Sequence, residues 1–187
     1  MATMPYHSFR RPNIFVALVL AIACVFSSAV LGMSSAYADN RLIILVRHAE
    51  KSDYPIGDPA LSSAGELRAI SLISALKRTP LSQLIATQYQ RTQQTLAPIA
   101  MARHLTVTVL PAKKPIEAHI QQIVEQVHAV KGNTLIVGHS NTIPLIIKAL
   151  NGPELNAMAE DDYSQLFLLS IQDGQKASLI TTHYGQE

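Results

Sequence analysis

Short apolar runs alternate with amphipathic stretches along most of the chain, and this alternation limits the possible folds more than any other feature. The runs have the length of buried strands, and the stretches between them have the apolar spacing of helices. Alternating strands and helices are typical of a largely parallel sheet. We therefore predict an α/β fold, a three-layer sandwich in which helices flank a largely parallel central sheet.

The positions of the elements follow from the same pattern. A capping box of Ser63 and Glu66 predicts a helix that ends before Pro80. A loop is predicted at residues 54–59 by their Pro and Gly content. The other predicted helices span residues 91–103, 116–131 and 142–150, and the predicted strands span residues 42–46, 84–86, 106–110, 134–137, 166–171 and 178–183.

The first 38 residues have the pattern of an export signal. Arg10 and Arg11 precede the apolar stretch 14–31, and Ala36 and Ala38 are small residues at the positions that a signal peptidase reads. We predict a signal peptide at residues 1–38, cleavage before Asp39, and an exported domain, periplasmic or secreted, at residues 39–187.

Three alternatives to cleavage before Asp39 remain. The apolar stretch 14–31 reaches the lower limit for a membrane span, so it could serve as an uncleaved anchor. A lipoprotein box ending at Cys24 and twin-arginine export through Arg10 and Arg11 match the sequence less well. After cleavage, no stable membrane insertion is expected.

The composition of residues 39–187 excludes some partners. Removing Arg10 and Arg11 leaves thirteen basic against thirteen acidic side chains, so nucleic acid is not an expected partner. The one cysteine, Cys24, lies in the leader, and the domain therefore has no disulfide. The length is that of one domain.

Cationic side chains follow three predicted strands. Arg47 and His48 follow strand 42–46, His139 follows strand 134–137, and Arg91 follows strand 84–86 at the start of a helix. The carboxyl ends of parallel strands meet at one edge of a sheet, where such folds keep their active sites. We therefore predict that these four side chains line one pocket.

Two guanidinium groups and two imidazoles form a site for a tetrahedral anion. Arginine offers forked donors to phosphate oxygens, and helix amino ends add unpaired N–H groups. Phosphate is the expected occupant. Neighbouring positive charges lower the pKa of a histidine, so His48 is expected to offer a neutral ring nitrogen that can attack phosphorus.

Four motifs, in this order and spacing, resemble the histidine phosphatase superfamily with its phosphoglycerate mutase-like fold. The resemblance spans residues 41–184. It implies that His48 is phosphorylated and the phosphoenzyme then hydrolysed, while Arg47, Arg91 and His139 hold the phosphoryl oxygens. It implies no cofactor and no metal, because arginines can stabilise the transferring group. The motifs are Arg47-His48-Ala49-Glu50, Leu61-Ser62 with Gly65, Arg91-Thr92 with Thr95, and Gly138-His139-Ser140.

The proton donor is left open by the sequence. Many members of this superfamily use a glutamate after the third strand, and Glu117 is the candidate in this chain. Glu50 is a rival, although it could instead orient Arg47 or His48, and Asp53 is a third option.

The substrate is predicted only by class. Residues 111–133 leave little room for a lid beside their helix, so we expect an open site and a phosphatase. The export signal adds a resemblance to enzymes that act on phosphorylated sugars of the cell envelope, so the expected partner is a phosphorylated small molecule or envelope glycan. A phosphohistidine phosphatase and a non-catalytic module that binds a phosphorylated ligand are the alternatives.

Several polar residues lie outside the four motifs. We interpret His104, His119, His128 and His183 as surface or structural residues. The acidic residues 160–162 are interpreted as a solvated loop.

Overall fold

The computed structural model describes residues 40–172 and 174–186. The predicted signal peptide lies outside the described residues. In chain order, the elements are β1 (Arg41–Arg47), α1 (Ser63–Ala75), β2 (Gln83–Ala86), α2 (Gln90–Arg103), β3 (Val107–Val109), α3 (Ile116–Ala129), β4 (Thr134–Gly138), α4 (Ile143–Ala149), β5 (Gln165–Ile171) and β6 (Ser178–His183). None of the helices within these ranges is long and apolar enough to cross a bilayer.

The strands form one sheet in the order β3-β2-β4-β1-β5-β6. The neighbours from β3 to β1 run parallel, whereas β5 is antiparallel to β1 and β6 is antiparallel to β5. The sheet is therefore mostly parallel, which confirms the predicted fold class. Strand β1 lies inside the sheet with β4 on one side and β5 on the other.

Helices cover both faces of the sheet. Ile43 and Leu45 of β1 belong to one buried cluster with residues of α3 and α4. Ile44 and Val46 belong to a second cluster with residues of α1 and α2. Successive side chains of a strand point to opposite faces, so a strand buried on both sides is apolar throughout. This arrangement explains the unbroken apolar run of β1.

All the predicted strands and helices are present. The predicted capping box of α1, however, is displaced by one residue from the observed N-cap. The N-cap is Ser62, whose hydroxyl accepts a hydrogen bond of 3.2 Å from the Gly65 amide. Ser63 is the first helical residue, and the amide of Glu66 bonds the Ser62 carbonyl at 2.9 Å. The true cap thus pairs Ser62 with Gly65.

Gly65 lets α1 begin against the chain that follows β1. A side chain at this position would meet the carbonyl oxygen of Glu50. The same carbonyl accepts a hydrogen bond of 2.9 Å from the Ser62 amide. Glycine is required here because there is no space for a side chain. The contact between Gly65 and Glu50 holds the chain in place just after His48.

Candidate active site

The carboxyl ends of β1 and β4 lie side by side. Arg47 is paired with Gly138 in the parallel register, and the His48 amide donates to the Gly138 carbonyl at 3.0 Å. This pairing brings the rings of His48 and His139 to 5.4 Å between centroids, edge to face. The two predicted strand-end histidines therefore meet.

A cavity of about 410 Å³ opens at this edge of the sheet. Its volume lies within the range of small-molecule sites. The two arginines and two histidines predicted to converge all line it, although their chemical roles stay predictions. The lining residues are Arg47, His48, Lys51, Tyr89, Arg91, Ala112, Lys113, Lys114, Ile116, His119, His139, Ser140, Asn141, Thr142 and Glu160.

His48 is held as a neutral ring with one nitrogen free to react. Its Nδ1 lies 2.8 Å from the carbonyl oxygen of Ala49. A carbonyl can only accept, so Nδ1 carries the proton and Nε2 keeps its electron pair. Burial lowers the pKa of His48 to about 4, with further lowering by Arg91, Arg47 and Lys51. The predicted direction agrees, but burial is the main cause, ahead of the neighbouring charges.

Arg47 is 2% exposed and is oriented by the segment before β5. One guanidinium nitrogen donates to the Ala159 carbonyl at 3.0 Å, and the other lies 3.1 Å from a carboxylate oxygen of Glu160. The guanidinium also stacks over the Tyr163 ring at 4.3 Å. Packing on three sides fixes the donors that face the cavity.

Arg91 lies in the first turn of α2. Its guanidinium stacks over the Tyr89 ring at 4.4 Å and lies 3.7 Å from a carboxylate oxygen of Asp58. The same oxygen of Asp58 accepts from the Gln90 amide at 2.9 Å. Asp58, which lies in the predicted loop, therefore both caps α2 and holds Arg91 in place.

Threonine hydroxyls connect α2 to the two histidines. The Thr95 hydroxyl donates to the Arg91 carbonyl at 2.7 Å and accepts from the Ala49 amide at 3.0 Å. Thr92 lies 2.9 Å from the Thr87 hydroxyl, which in turn lies 3.2 Å from Nε2 of His139. These buried hydroxyls fix the positions of both histidines relative to α2.

His139 is also held in a mainly neutral state. Burial lowers its pKa to about 3, and His48, Arg91, His119 and Arg47 lower it further. Its backbone amide donates to the Thr142 hydroxyl at 2.9 Å. A neutral imidazole still carries one N–H group, so His139 can donate to an anion in the cavity.

No predicted proton donor lines the cavity. Glu117 is exposed in the first turn of α3. Glu50 pairs with Arg68 at 2.8 Å and lines a different hollow, so it orients neither Arg47 nor His48. Asp53 is exposed and is absent from the cavity wall. The structure gives none of these three predictions support.

Glu160 is the carboxylate that the cavity does contain. Its Oε1 accepts from the Ser140 hydroxyl at 2.7 Å, and its Oε2 pairs with Arg47. The Ser140 hydrogen bond and the Arg47 charge lower the pKa of Glu160, so it is ionised and ready to accept rather than donate. Glu160 is 83% exposed, which agrees with the interpretation of residues 160–162 as a solvated loop, but that interpretation missed its contact with Arg47 at the cavity wall.

His119 was also misassigned, since it is neither a surface residue nor a satisfied structural one. Its side chain is 2% exposed, lines the cavity, and makes no hydrogen bond through either ring nitrogen. The Pro111 carbonyl lies near enough to favour the protonated ring slightly, but burial dominates and lowers the pKa of His119. The apolar spacing of α3 contained the signal, because His119 falls on its buried face with Ile120 and Ile123.

Residues 40–172 and 174–186 contain no group of three or more His, Cys, Asp or Glu side chains that could hold a metal ion.

Solved structures with the same fold include three phosphatases. A putative phosphohistidine phosphatase SixA from Nakamurella multipartitia has a TM-score of 0.55 at 22% identity, covering 78% of this chain and 96% of its own. A mycobacterial glucosyl-3-phosphoglycerate phosphatase has a TM-score of 0.58 at 16% identity, with 79% and 100% covered. The protein histidine phosphatase SixA complexed with tungstate has a TM-score of 0.60 at 13% identity, with 76% and 96% covered. At these identities, the likeness shows the fold.

The sequence itself matches a family model, the histidine phosphatase superfamily (branch 1), over residues 43–116. That segment contains the first three motifs, and the fourth follows at the end of β4. Comparison with curated protein sequences found no match. This match agrees with the resemblance to the histidine phosphatase superfamily that the motifs predicted, and a phosphatase is the supported class of activity.

Proposed function

We propose that the protein is a metal-independent phosphomonoester hydrolase that acts through a phosphohistidine on His48. One observation carries this proposal: a neutral His48, with Nδ1 anchored on a carbonyl, lies in a cavity lined by Arg47, Arg91 and His139. A ring with a free electron pair beside fixed cationic donors suits attack on a phosphate ester.

The transfer proceeds in two steps. Nε2 of His48 forms a bond to phosphorus while the P–O bond to the leaving group breaks, so the leaving oxygen departs with the bonding electrons and takes a proton from solvent water. Arg47, Arg91 and His139 bind the three oxygens on which charge accumulates. Water then attacks the phosphohistidine, which releases inorganic phosphate and restores the neutral ring. The ionised Glu160 at the rim can accept a hydrogen bond from that water.

Changing Glu117 to Gln is expected to leave the ratio of alkyl to aryl phosphate hydrolysis unchanged. Glu117 is exposed and does not line the cavity, so its carboxyl cannot protonate the leaving oxygen from this position. Steady-state rates on both ester classes measure the effect, with Glu125→Gln on the same helix as the matched control. A loss confined to alkyl esters in Glu117→Gln would restore Glu117 as the acid, because aryl oxygens leave without a proton.

The acid limb of kcat/KM is expected near pH 4, well below the ordinary histidine value of 6.5. His48 must be neutral to attack, and its lowered pKa keeps it neutral as the pH falls towards that value. The measurement is kcat/KM against pH, corrected for the substrate's own ionisation. A limb near 6.5 would mean that His48 is not shielded from water in solution.

The same lowered pKa values make folding stability depend on pH. Between the unfolded value of 6.5 and the folded values of His48 and His139, the unfolded chain binds more protons than the native state. Stability is therefore full above about pH 6.5 and decreases as the pH falls below it.

For the location and substrate, we infer an exported enzyme that acts on a phosphorylated small molecule or envelope sugar. The leader pattern of residues 1–38 supports export, and the cavity at the open edge of the sheet suits a phosphate on a larger molecule. Amino-terminal sequencing of the protein from the envelope fraction should give Asp39. A start at Met1 or Cys24 would indicate an anchor or a lipoprotein instead.

A phosphohistidine phosphatase is the second candidate, because the described part of the cavity wall has no carboxylic acid placed to protonate an alkoxide. The imidazole of phosphohistidine is a better leaving group than an alkoxide and needs less help from an acid. Two of the three phosphatase structures compared above carry that activity in their names. Relative kcat/KM on a histidine-phosphorylated protein and on alkyl phosphates decides between the two candidates.

A further inference from the structure

The cavity holds more positive charge than one phosphate needs. Five of its lining residues are Lys or Arg, and Glu160 is the one carboxylate among them. Asp58 offsets part of the charge of Arg91 from outside the wall. A phosphate monoester brings two negative charges at most, so a single phosphate leaves positive charge unmatched on this wall.

The surplus charge lies on the segment between β3 and α3. Lys113 and Lys114 line the cavity there, and neither forms a salt bridge within residues 40–172 and 174–186. The segment is held in place, since the Ala112 amide donates to the Gln88 side chain at 2.8 Å. Both ammonium groups are therefore available to a ligand.

His119 adds a buried donor beside these lysines. Its ring lines the same cavity, is 2% exposed and makes no hydrogen bond of good geometry at either nitrogen, although the Pro111 carbonyl lies nearby. It lies near enough to His139 to influence that ring electrostatically. Buried polar groups without partners are uncommon in native proteins, and one in a cavity wall points to a ligand. The amino end of α3 also has no side-chain cap.

We propose that Lys113, Lys114 and His119 form a second anion-binding subsite, so the substrate carries a further anionic group, phosphate or carboxylate, beside the phosphate that is removed. This inference rests on the proposed phosphatase function. His119 donates from its neutral ring, and the two ammonium groups supply the charge. Arg47, Arg91 and His139 hold the phosphate that reacts.

Calorimetric titration with phosphonates tests the subsite without any turnover, because their P–C bonds are not hydrolysed. The probes are propylphosphonate and the bisphosphonates of propane and pentane, which place the second anionic group at two different distances from the first. At least one bisphosphonate should bind about tenfold or more tightly than propylphosphonate, as expected for added charge-assisted hydrogen bonds. A bisphosphonate has two identical ends, and this alone doubles its affinity for a single site. If both bisphosphonates bind no more than twice as tightly as propylphosphonate, the proposal is overturned.

The double variant Lys113→Ala/Lys114→Ala should reduce the ratio of the two affinities towards that statistical value. Its matched control is Lys77→Ala/Arg78→Ala, which removes two positive charges from exposed positions just before β2, at the opposite edge of the sheet. The control should keep the wild-type ratio. An equal fall in both double variants would show a general charge effect and overturn the subsite.

His119→Phe keeps a ring in the buried position, removes both nitrogens, and should also lower the ratio. If this variant does not fold, the lysine pair alone decides. Hydrolysis of p-nitrophenyl phosphate, with His48→Ala as control, distinguishes failure of the proposed phosphatase function from failure of the second subsite. Absence of hydrolysis rejects the proposed function, whereas hydrolysis without bisphosphonate preference rejects only the second subsite.

Discussion

Replacing His48 with alanine is expected to remove nearly all phosphatase activity, with a fall in kcat of roughly 10⁴–10⁶, the range seen when a nucleophile is deleted. Nε2 of His48 is the ring nitrogen left with an electron pair once Nδ1 is committed to the Ala49 carbonyl. The flanking cationic donors cannot replace that atom. The loss should therefore be similar for aryl and alkyl phosphates.

Trapping the intermediate makes this expectation specific to a covalent mechanism. Brief incubation with a labelled phosphomonoester, followed by rapid denaturation, should leave a phosphate on His48 that is labile in acid and stable in base. His183→Ala is the matched control, since His183 is exposed on edge strand β6 and does not line the cavity. Label on a serine, or label that persists in His48→Ala, would exclude phosphohistidine chemistry at this residue.

His48→Ala should stay unlabelled whether the mechanism is covalent or a single displacement by water. The wild-type protein distinguishes the two mechanisms, because it becomes labelled only if a covalent intermediate forms. The wild-type reaction therefore has to be measured alongside. Because His48 is 4% exposed, its removal leaves a space in a packed wall. Circular dichroism and thermal unfolding of His48→Ala establish that the loss of activity belongs to the missing nucleophile.

The fold could be predicted from the sequence because its strands are buried on both faces or nearly so. Such strands are unbroken apolar runs, and β1 and β4 stand out for this reason. The ends of elements were less certain. Ser62 and Ser63 are both good caps, and only the packing of Gly65 against the Glu50 carbonyl selects Ser62. That contact is tertiary, so local sequence could not supply it.

The meeting of Arg47, His48, Arg91 and His139 in one cavity was predictable because parallel topology alone brings strand ends together. Glu160 was not, since it lies in an irregular segment after α4 whose path over Arg47 has no periodic signal. Tyr163, which stacks on Arg47 from the same segment, was missed for the same reason.

The different surroundings of Glu117 and His119 have a geometric origin. Residues two apart on a helix point about 200° apart around its axis, so they occupy nearly opposite faces. His119 shares the buried face of α3 with Ile120 and Ile123, and Glu117 therefore faces solvent. The apolar spacing of α3 fixes this register, which means that the sequence contained the information even though the superfamily pattern favoured a glutamate.

Replacing His139 with alanine is expected to slow hydrolysis of aryl and alkyl phosphates alike, by roughly 10²–10³, the usual cost of losing one donor to a developing charge. The ring centroids of His139 and His48 lie 5.4 Å apart, and Nε2 of His139 lies 3.2 Å from the Thr87 hydroxyl. With the ring held beside the proposed nucleophile, we expect His139 to bind the phosphoryl group in transit rather than the leaving oxygen. Equal losses on both ester classes follow from that position.

His139→Gln provides the matched comparison, because the amide keeps an N–H donor of similar reach and should recover part of the lost rate. Steady-state kcat/KM on an aryl and an alkyl phosphate, with His183→Ala as the distant control, measures all four proteins. A loss restricted to alkyl esters would instead make His139 the acid that protonates the leaving oxygen. The lowered pKa of His139, about 3, argues against that role in the free enzyme. Near neutral pH the ring carries one proton rather than two, so it is not the imidazolium that a general acid needs.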